Sequence, residues 1–313
     1  LLPRWITAVA LVLSLTSCTT EAQADHPRAH QSTAGHTEPV TAGRNPTEPT
    51  RAGRTASVAA TTAGRTKPID SKAVSKRLDH YLAGRPGPVT AVVKDLTTGR
   101  VYRYHRHQVM ITASTAKVQI LMALLLKTPW RKLSKATRHD ADLMIRFSDN
   151  EAADRLWLKI GGAGAFTRAG RKFGLRHTQG IPGDCLDLYC WGITRTTAGD
   201  QVRLMHQLVS DRSPLRAKDR AQVLRLMGKV TKSQAWGISE AACRGEHVAL
   251  KNGWLKRVSN KHWAVVSAGL IRGHGHVYAV AVLTEGSAEV GHGIATVQGV
   301  ATRVMKAFRK CRG

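Results

Sequence analysis

Acidic residues are scarce in this chain. Its 313 residues hold 21 Asp and Glu, only 8 of them Glu, against 48 Lys and Arg, for a formal charge of +27. That shortage excludes a calcium cage or a two-metal carboxylate centre, both of which need clustered Asp and Glu. It also thins the supply of general acids and bases. No apolar run is long enough to cross a bilayer, which takes roughly 20 residues. The run Ile6–Leu15 is too short and reads instead as the core of a secretory leader behind Arg4. No two cysteines have CxxC spacing, so a zinc site is disfavoured and no metal or other cofactor is expected. No helix-turn-helix, zinc-finger, RRM or KH signature accompanies the positive charge, so nucleic acid is not expected as a partner.

The leader ends Leu15-Thr16-Ser17-Cys18. This stretch resembles the bacterial lipobox, which implies a lipidated Cys18 and attachment to the outer face of the cytoplasmic membrane. Residues 19–66 follow as a Thr/Ala/Gly/Arg-rich stretch with AGR at 42–44, 52–54 and 63–65 and almost no large apolar residue. Such a composition cannot form a core and reads as a tether. As a flexible coil it would reach on the order of 35–40 Å. The charge sits mainly beyond it, since residues 67–313 carry 42 basic and 17 acidic residues. Two readings of that charge stay open: attraction to anionic wall polymers or lipid headgroups, or an ordinary solvated surface. The remaining cysteines, Cys185, Cys190, Cys243 and Cys311, are even in number, which predicts two disulfides in one of three pairings.

Hydrophobic periodicity organises residues 67–313 as one domain. A helix is expected over Ile69–Leu82, then a hairpin of Val89–Lys94 and Val101–His105. Ala116–Lys127 is an apolar helix with Val118–Leu126 nearly unbroken, which predicts burial on all sides. Helices are expected at 138–146, 150–160, 163–173, 196–210 and 217–228. Strands follow at His247–Lys251, Trp263–Ile271 and Val277–Thr284, with a last helix over 293–310. The expected fold is therefore α+β: a five-stranded antiparallel sheet flanked by helices, with an all-helical block inserted between its two sets of strands.

Three motifs carry chemistry. In Ser114-Thr115-Ala116-Lys117 a hydroxyl stands at the start of the apolar helix, near free N–H groups, and a lysine follows one turn later on the same face. A desolvated lysine there can take the hydroxyl proton. Ser148-Asp149-Asn150 precedes a helix and by itself is also a good N-cap. Lys251-Asn252-Gly253-Trp254 is expected at the end of a strand. The lysine can hold a substrate carboxylate, the glycine lets substrate approach the strand, and Trp254 N–H can join Ser114 N–H as an oxyanion hole.

The order SxxK, SDN, KxG, with its flanking elements, resembles the class A β-lactamases and penicillin-binding DD-peptidases over most of residues 67–313. The resemblance implies a serine hydrolase acting on β-lactams or on peptidoglycan-like D-Ala-D-Ala peptides, expected to be monomeric. Ser114 would be the acylated nucleophile, Lys117 its proton acceptor and Ser148 the relay to the leaving nitrogen. Asn150 would bond a substrate amide, Lys251 would hold the carboxylate, and Asp149 would shape the loop. Three departures stand out. Asn252 replaces the usual Thr or Ser, though its amide could still donate to a carboxylate. The stretch from Ser114 to Ser148 is short, which opens one wall of the cleft. No Glu lies between Glu151 and Glu240, where class A enzymes carry the Ω-loop base for deacylation. Asp184 and Asp187 are the only nearby substitutes, each a methylene shorter, so slow deacylation is expected. The competing reading is a non-catalytic wall- or ligand-binding module on the same fold.

Overall fold

The computed structural model describes residues 67–182 and 190–311. The expectations for Cys18, the tether, Asp184, Cys185 and Asp187 fall outside these residues. Helix α1 (Ser71–Leu82) is capped by Asp70, whose carboxylate accepts from Ala73 N at 3.0 Å. Strands β1 (Val89–Asp95) and β2 (Val101–Tyr104) form the expected hairpin. Two short strands, β3 (Met110–Ile111) and β4 (Arg195–Thr196), pair with each other and had no signal in the sequence. The helical block comprises α2 (Ala116–Lys127), α3 (Lys135–Asp142), α4 (Asn150–Ile160), α5 (Gly162–Lys172), α6 (Ala198–Gln207) and α7 (Ala217–Met227). Strands β5 (His247–Lys256), β6 (Trp263–Gly273) and β7 (His276–Ser287) then complete the sheet, and α8 (Val290–Met305) closes the chain.

The sheet is antiparallel with order β2-β1-β7-β6-β5, so the two sets of strands meet where β1 pairs with β7. Its central strands are covered on both faces, which is why β6 and β7 read as continuous apolar runs rather than alternating ones. On one face Val92, Ala268, Leu270 and Ala281 pack with the helical block; on the other Ala91, Val93, Val280 and Val282 pack with α1 and α8. Helix α2 runs through the first of these cores and is buried from Ala116 to Leu125, as its composition predicts. Several expected boundaries move: the helix expected at 138–146 divides into α3 and a π turn (Leu143–Phe147), and the helices expected at 196–210 and 293–310 run over Ala198–Gln207 and Val290–Met305. Strand β5 does not end at Lys251 but continues to Lys256, because its ladder with β6 runs unbroken through Asn252↔Ser267 and Gly253↔Val266. Cys243 and Cys311 are joined in a disulfide that closes a 68-residue separation. Beside it Arg309 and Glu246 make a buried ion pair.

Candidate active site

Ser114 lies in a 3-10 turn (Ala113–Thr115) that leads into α2, and it is half-buried. The residue before it, Ala113, has φ +42°, a left-handed conformation unusual for a side-chain-bearing residue. Neighbouring hydrogen bonds hold it there. Thr112 N donates to Thr194 O at 2.9 Å, Ala113 N to Gly192 O at 2.8 Å, and Thr112 Oγ1 to Trp191 O at 3.0 Å. Backbone strain stored this way is common where a reactive group must be aimed.

Ser148 also has a positive φ, +60°, at the junction between a π turn (Leu143–Phe147) and α4. Asp149 caps α4, its carboxylate accepting from Ala152 N at 2.7 Å, which fits the loop-shaping role expected of it. Strand β5 brings the third motif alongside. A Cβ added to Gly253 would collide with Ser114 N and come within 2.9 Å of Ala113 Cβ, so only glycine allows this approach.

The two lysines meet at Ser148. Lys117 Nζ, wholly buried, donates to Ser148 O (2.6 Å), Ser148 Oγ (3.2 Å) and Asn150 Oδ1 (2.8 Å). Lys251 Nζ, also wholly buried, donates to Ser148 Oγ and to Asn252 O, both at 2.9 Å. Burial drives the Lys117 pKa down from 10.5 to about 6, helped by the nearby Lys251 charge and opposed by Asp149 and Asp154. Burial alone takes Lys251 down to about 7. With its pKa at about 6, Lys117 is mainly the neutral amine near pH 7; its two remaining N–H groups then serve the obligate acceptors Ser148 O and Asn150 Oδ1, and the Ser148 hydroxyl faces its lone pair. A neutral amine is what proton abstraction from a hydroxyl requires.

Asn252 departs from expectation. Its amide does not face the cleft; it is wholly buried, and Nδ2 donates to Gln234 O and Trp236 O, both at 2.8 Å. The cause is strand alternation. Lys251 and Gly253 point toward Ser114 and Ser148, which turns Asn252 and Trp254 to the opposite side of β5. The expected contact between the Asn252 amide and a substrate carboxylate is therefore corrected. Asn150 likewise gives its oxygen to Lys117, leaving only its amide N–H groups for a substrate.

Two residues that the sequence did not single out complete the site. The Trp191 ring, almost wholly buried, lies with its centroid 4.4 Å from Lys117 Nζ, and its indole N–H donates to Asp154 Oδ1 at 2.7 Å. Asp154 is one turn beyond Asn150 on α4, so helical spacing from the SDN motif was the available signal. Glu151 points away, exposed and 3.8 Å from Arg155. Among the described residues no group of His, Cys, Asp and Glu could hold a metal ion.

A family model described as the beta-lactamase enzyme family matches residues 73–140 and 131–308. Among curated proteins, one described as "Putative lipoprotein LppW" from Mycobacterium bovis is 30% identical over 191 residues. The match takes in 58% of this chain and 59% of that protein, so the chain spans about three fifths of the relative's length. Among solved structures, PBP-A aligns with a TM-score of 0.66 at 20% identity, covering 77% of this chain and 98% of PBP-A. A class A beta-lactamase from Mycobacterium abscessus aligns with a TM-score of 0.65 at 19% identity, over 75% and 99% of the two chains.

Proposed function

Because the chain belongs to the beta-lactamase enzyme family, we propose that it is a serine hydrolase whose Ser114 is acylated by β-lactams or D-Ala-D-Ala-like peptides and released slowly. The observation that carries this reading is the chain of contacts Lys117 Nζ–Ser148 Oγ–Lys251 Nζ, with Gly253, two residues beyond Lys251, packed against the Ser114 backbone. Ser114 Oγ attacks the carbonyl carbon as neutral Lys117 takes its proton. The oxyanion that forms is met by the N–H groups of Ser114 and Trp254. As the C–N bond breaks, Ser148 Oγ protonates the leaving nitrogen and is reprotonated from Lys117, which returns Lys117 to its starting state. Lys251 holds Ser148 in place and supplies positive potential when protonated. The amide of Asn150 is left to meet the substrate's acyl side chain.

Water must then be activated to free Ser114, and the proposed apparatus for that step is poor. No Glu lies between Glu151 and Glu240, and the Asp154 carboxylate is engaged by the Trp191 indole. Asp184 and Asp187 remain as weak candidates for the role. A variant of the structural neighbour PBP-A has been solved as an acyl-enzyme complex with penicillin G, which supports acylation chemistry on this fold.

In this reading residues 67–313 are the catalytic domain, carried on the 19–66 tether behind a leader ending at a lipidated Cys18. The lipoprotein description of the curated relative supports attachment to the cell envelope. No helix among the described residues is long and apolar enough to cross a membrane.

Intact-mass spectrometry with and without penicillin, followed over hours, tests the proposal. The wild type should gain one penicillin mass and lose it slowly, and Ser114→Ala should gain none. Nitrocefin turnover on the order of hundreds per second would refute slow deacylation. No adduct under conditions that label a control enzyme would favour the non-catalytic binding module.

A further inference from the structure

We propose that Trp191 is a positioning residue for acylation: the face of its ring receives the charge that Lys117 acquires on taking the Ser114 proton, and Asp154 fixes the ring for that task. The inference rests on the reading of Ser114 as nucleophile and Lys117 as its proton acceptor. As the bond from Ser114 Oγ to the substrate carbonyl carbon forms, the hydroxyl proton passes to the Lys117 lone pair. A buried amine thereby becomes a buried ammonium, which is costly without a compensating partner. The three oxygens within hydrogen-bond distance of Nζ, namely Ser148 O, Ser148 Oγ and Asn150 Oδ1, carry no formal charge. Beyond Ser148 Oγ stands Lys251 Nζ, 2.9 Å from that oxygen, and its charge opposes a second one on Lys117. Asp149 and Asp154 attract the new charge from α4, but each carboxylate is already engaged, Asp149 by Ala152 N and Asp154 by the Trp191 indole. These three are the charged groups that act on Lys117 among the described residues. What lies against Nζ itself is the Trp191 ring, its centroid 4.4 Å away.

Indole offers a cation the best of the aromatic faces, and the attraction grows where water is excluded. Trp191 is only 3% exposed. It is held from both ends. Its N–H donates to Asp154 Oδ1 at 2.7 Å, and its carbonyl accepts from Thr112 Oγ1 at 3.0 Å and from Thr194 Oγ1 at 2.8 Å. Thr112 lies two residues before Ser114, and Asp154 lies one turn beyond Asn150, so one residue ties the nucleophile's turn to the helix that serves the lysine. A hydrogen bond from the indole N–H to a carboxylate also polarises the ring in the direction that favours a cation on its face. A neutral amine gains little from the ring and an ammonium gains much. The contact therefore strengthens as the proton is transferred, which is the condition for raising a rate rather than an affinity.

The test follows acylation by penicillin G across about pH 5–9, with quenched samples read by intact mass to give the limiting rate and the half-saturating concentration. Trp191→Leu removes the ring face and should lower the limiting rate about tenfold to thirtyfold, with little change in half-saturating concentration. Its acid limb should move to lower pH, because losing the ring disfavours the ammonium. A slower plateau together with a limb at lower pH is not what loss of folded protein gives, since that scales the whole profile. Trp191→Phe keeps an aromatic face and should recover most of the rate. Fluorinated tryptophan has nearly the same shape and a weakened face. Incorporated throughout the chain, it should slow the wild type several-fold and leave Trp191→Phe unaffected, which tests the same point if the leucine variant does not fold. A limiting rate in Trp191→Leu equal to that of wild type, an acid limb that stays or moves to higher pH, or equal slowing of both proteins by fluorinated tryptophan overturns the proposal. The parent reading fails separately. A penicillin adduct absent from wild type, or present on Ser114→Ala, removes Ser114 as nucleophile; an adduct that forms equally fast in every Trp191 variant keeps Ser114 and removes only the role of Trp191.

Discussion

Replacing Lys117 with methionine should change how stability depends on pH, and the size of the change follows from burial. Lys117 has its pKa moved from 10.5 to about 6 in the folded protein. Between those values the unfolded chain binds a proton at this site and the folded chain does not. Folding there becomes more favourable as pH rises, by about 1.4 kcal/mol per pH unit. Above 10.5 the penalty is gone, and below about 6 it is fully present. From pH 6.5 to 8.5 the wild type should therefore gain about 2–3 kcal/mol relative to Lys117→Met. In a domain of this size that is about 5–10 °C in Tm. Methionine also removes the bonds to Ser148 and Asn150 and the contact with the Trp191 ring, but those losses offset both ends of the pH range equally. Lys251 titrates in the same window and its charge acts on Lys117, so the difference between the two proteins reports the coupled pair, with Lys117 as its larger part. Thermal or urea unfolding of the two proteins across pH 6.5–8.5 provides the measurement. Parallel curves would refute the claim that Lys117 is held neutral, and with it the basis for its role as proton acceptor.

Other outcomes follow from single contacts. Gly253→Ala should abolish acylation of Ser114, read by intact mass, because its Cβ meets backbone and cannot be relieved by a rotamer change; near-normal labelling would remove the close approach of β5. Asp154→Asn takes away a negative charge that raises the Lys117 pKa, so the acid limb of the acylation pH profile should move to lower pH. An unmoved limb would mean that Asp154 does not act on Lys117. Replacing Cys243 and Cys311 with serine opens a 68-residue separation and should cost about 4 kcal/mol. That is roughly 10 °C in Tm by differential scanning calorimetry, whereas a change under 2 °C would argue against this bond as a main constraint.

Much of the architecture is legible in the sequence because local and global signals agree. The unbroken apolar run of α2 makes a helix buried on all sides, and Asp149 is both a favourable N-cap residue and the observed one. The site is readable in outline, since the spacing of Ser114 and Lys117 is helical and any KxG strand can approach a nucleophile only through its glycine. Misreadings arise where tertiary structure overrides local chemistry. Asn252-Gly253 has the look of a turn, yet the ladder with β6 carries β5 straight through it. The orientation of Asn252 then depends on carbonyls 16 and 18 residues away. The Trp191–Asp154 contact spans 37 residues, and β3 and β4 are two residues each; neither leaves a periodic trace.

The placement of α1 bears on how the protein can be handled. Its Ser75 and Asp79 bond to Tyr102 and Tyr104 of β2, the strand at one edge of the sheet. Strand β5, with Lys251 and Gly253, is the opposite edge, four strand spacings or about 19 Å across. A surface, tag or fusion partner joined through Lys67 therefore attaches on the far side of the sheet from Ser114. Immobilising the domain by that end should leave the cleft open to ligands in flow, making it a sound orientation for biosensor work.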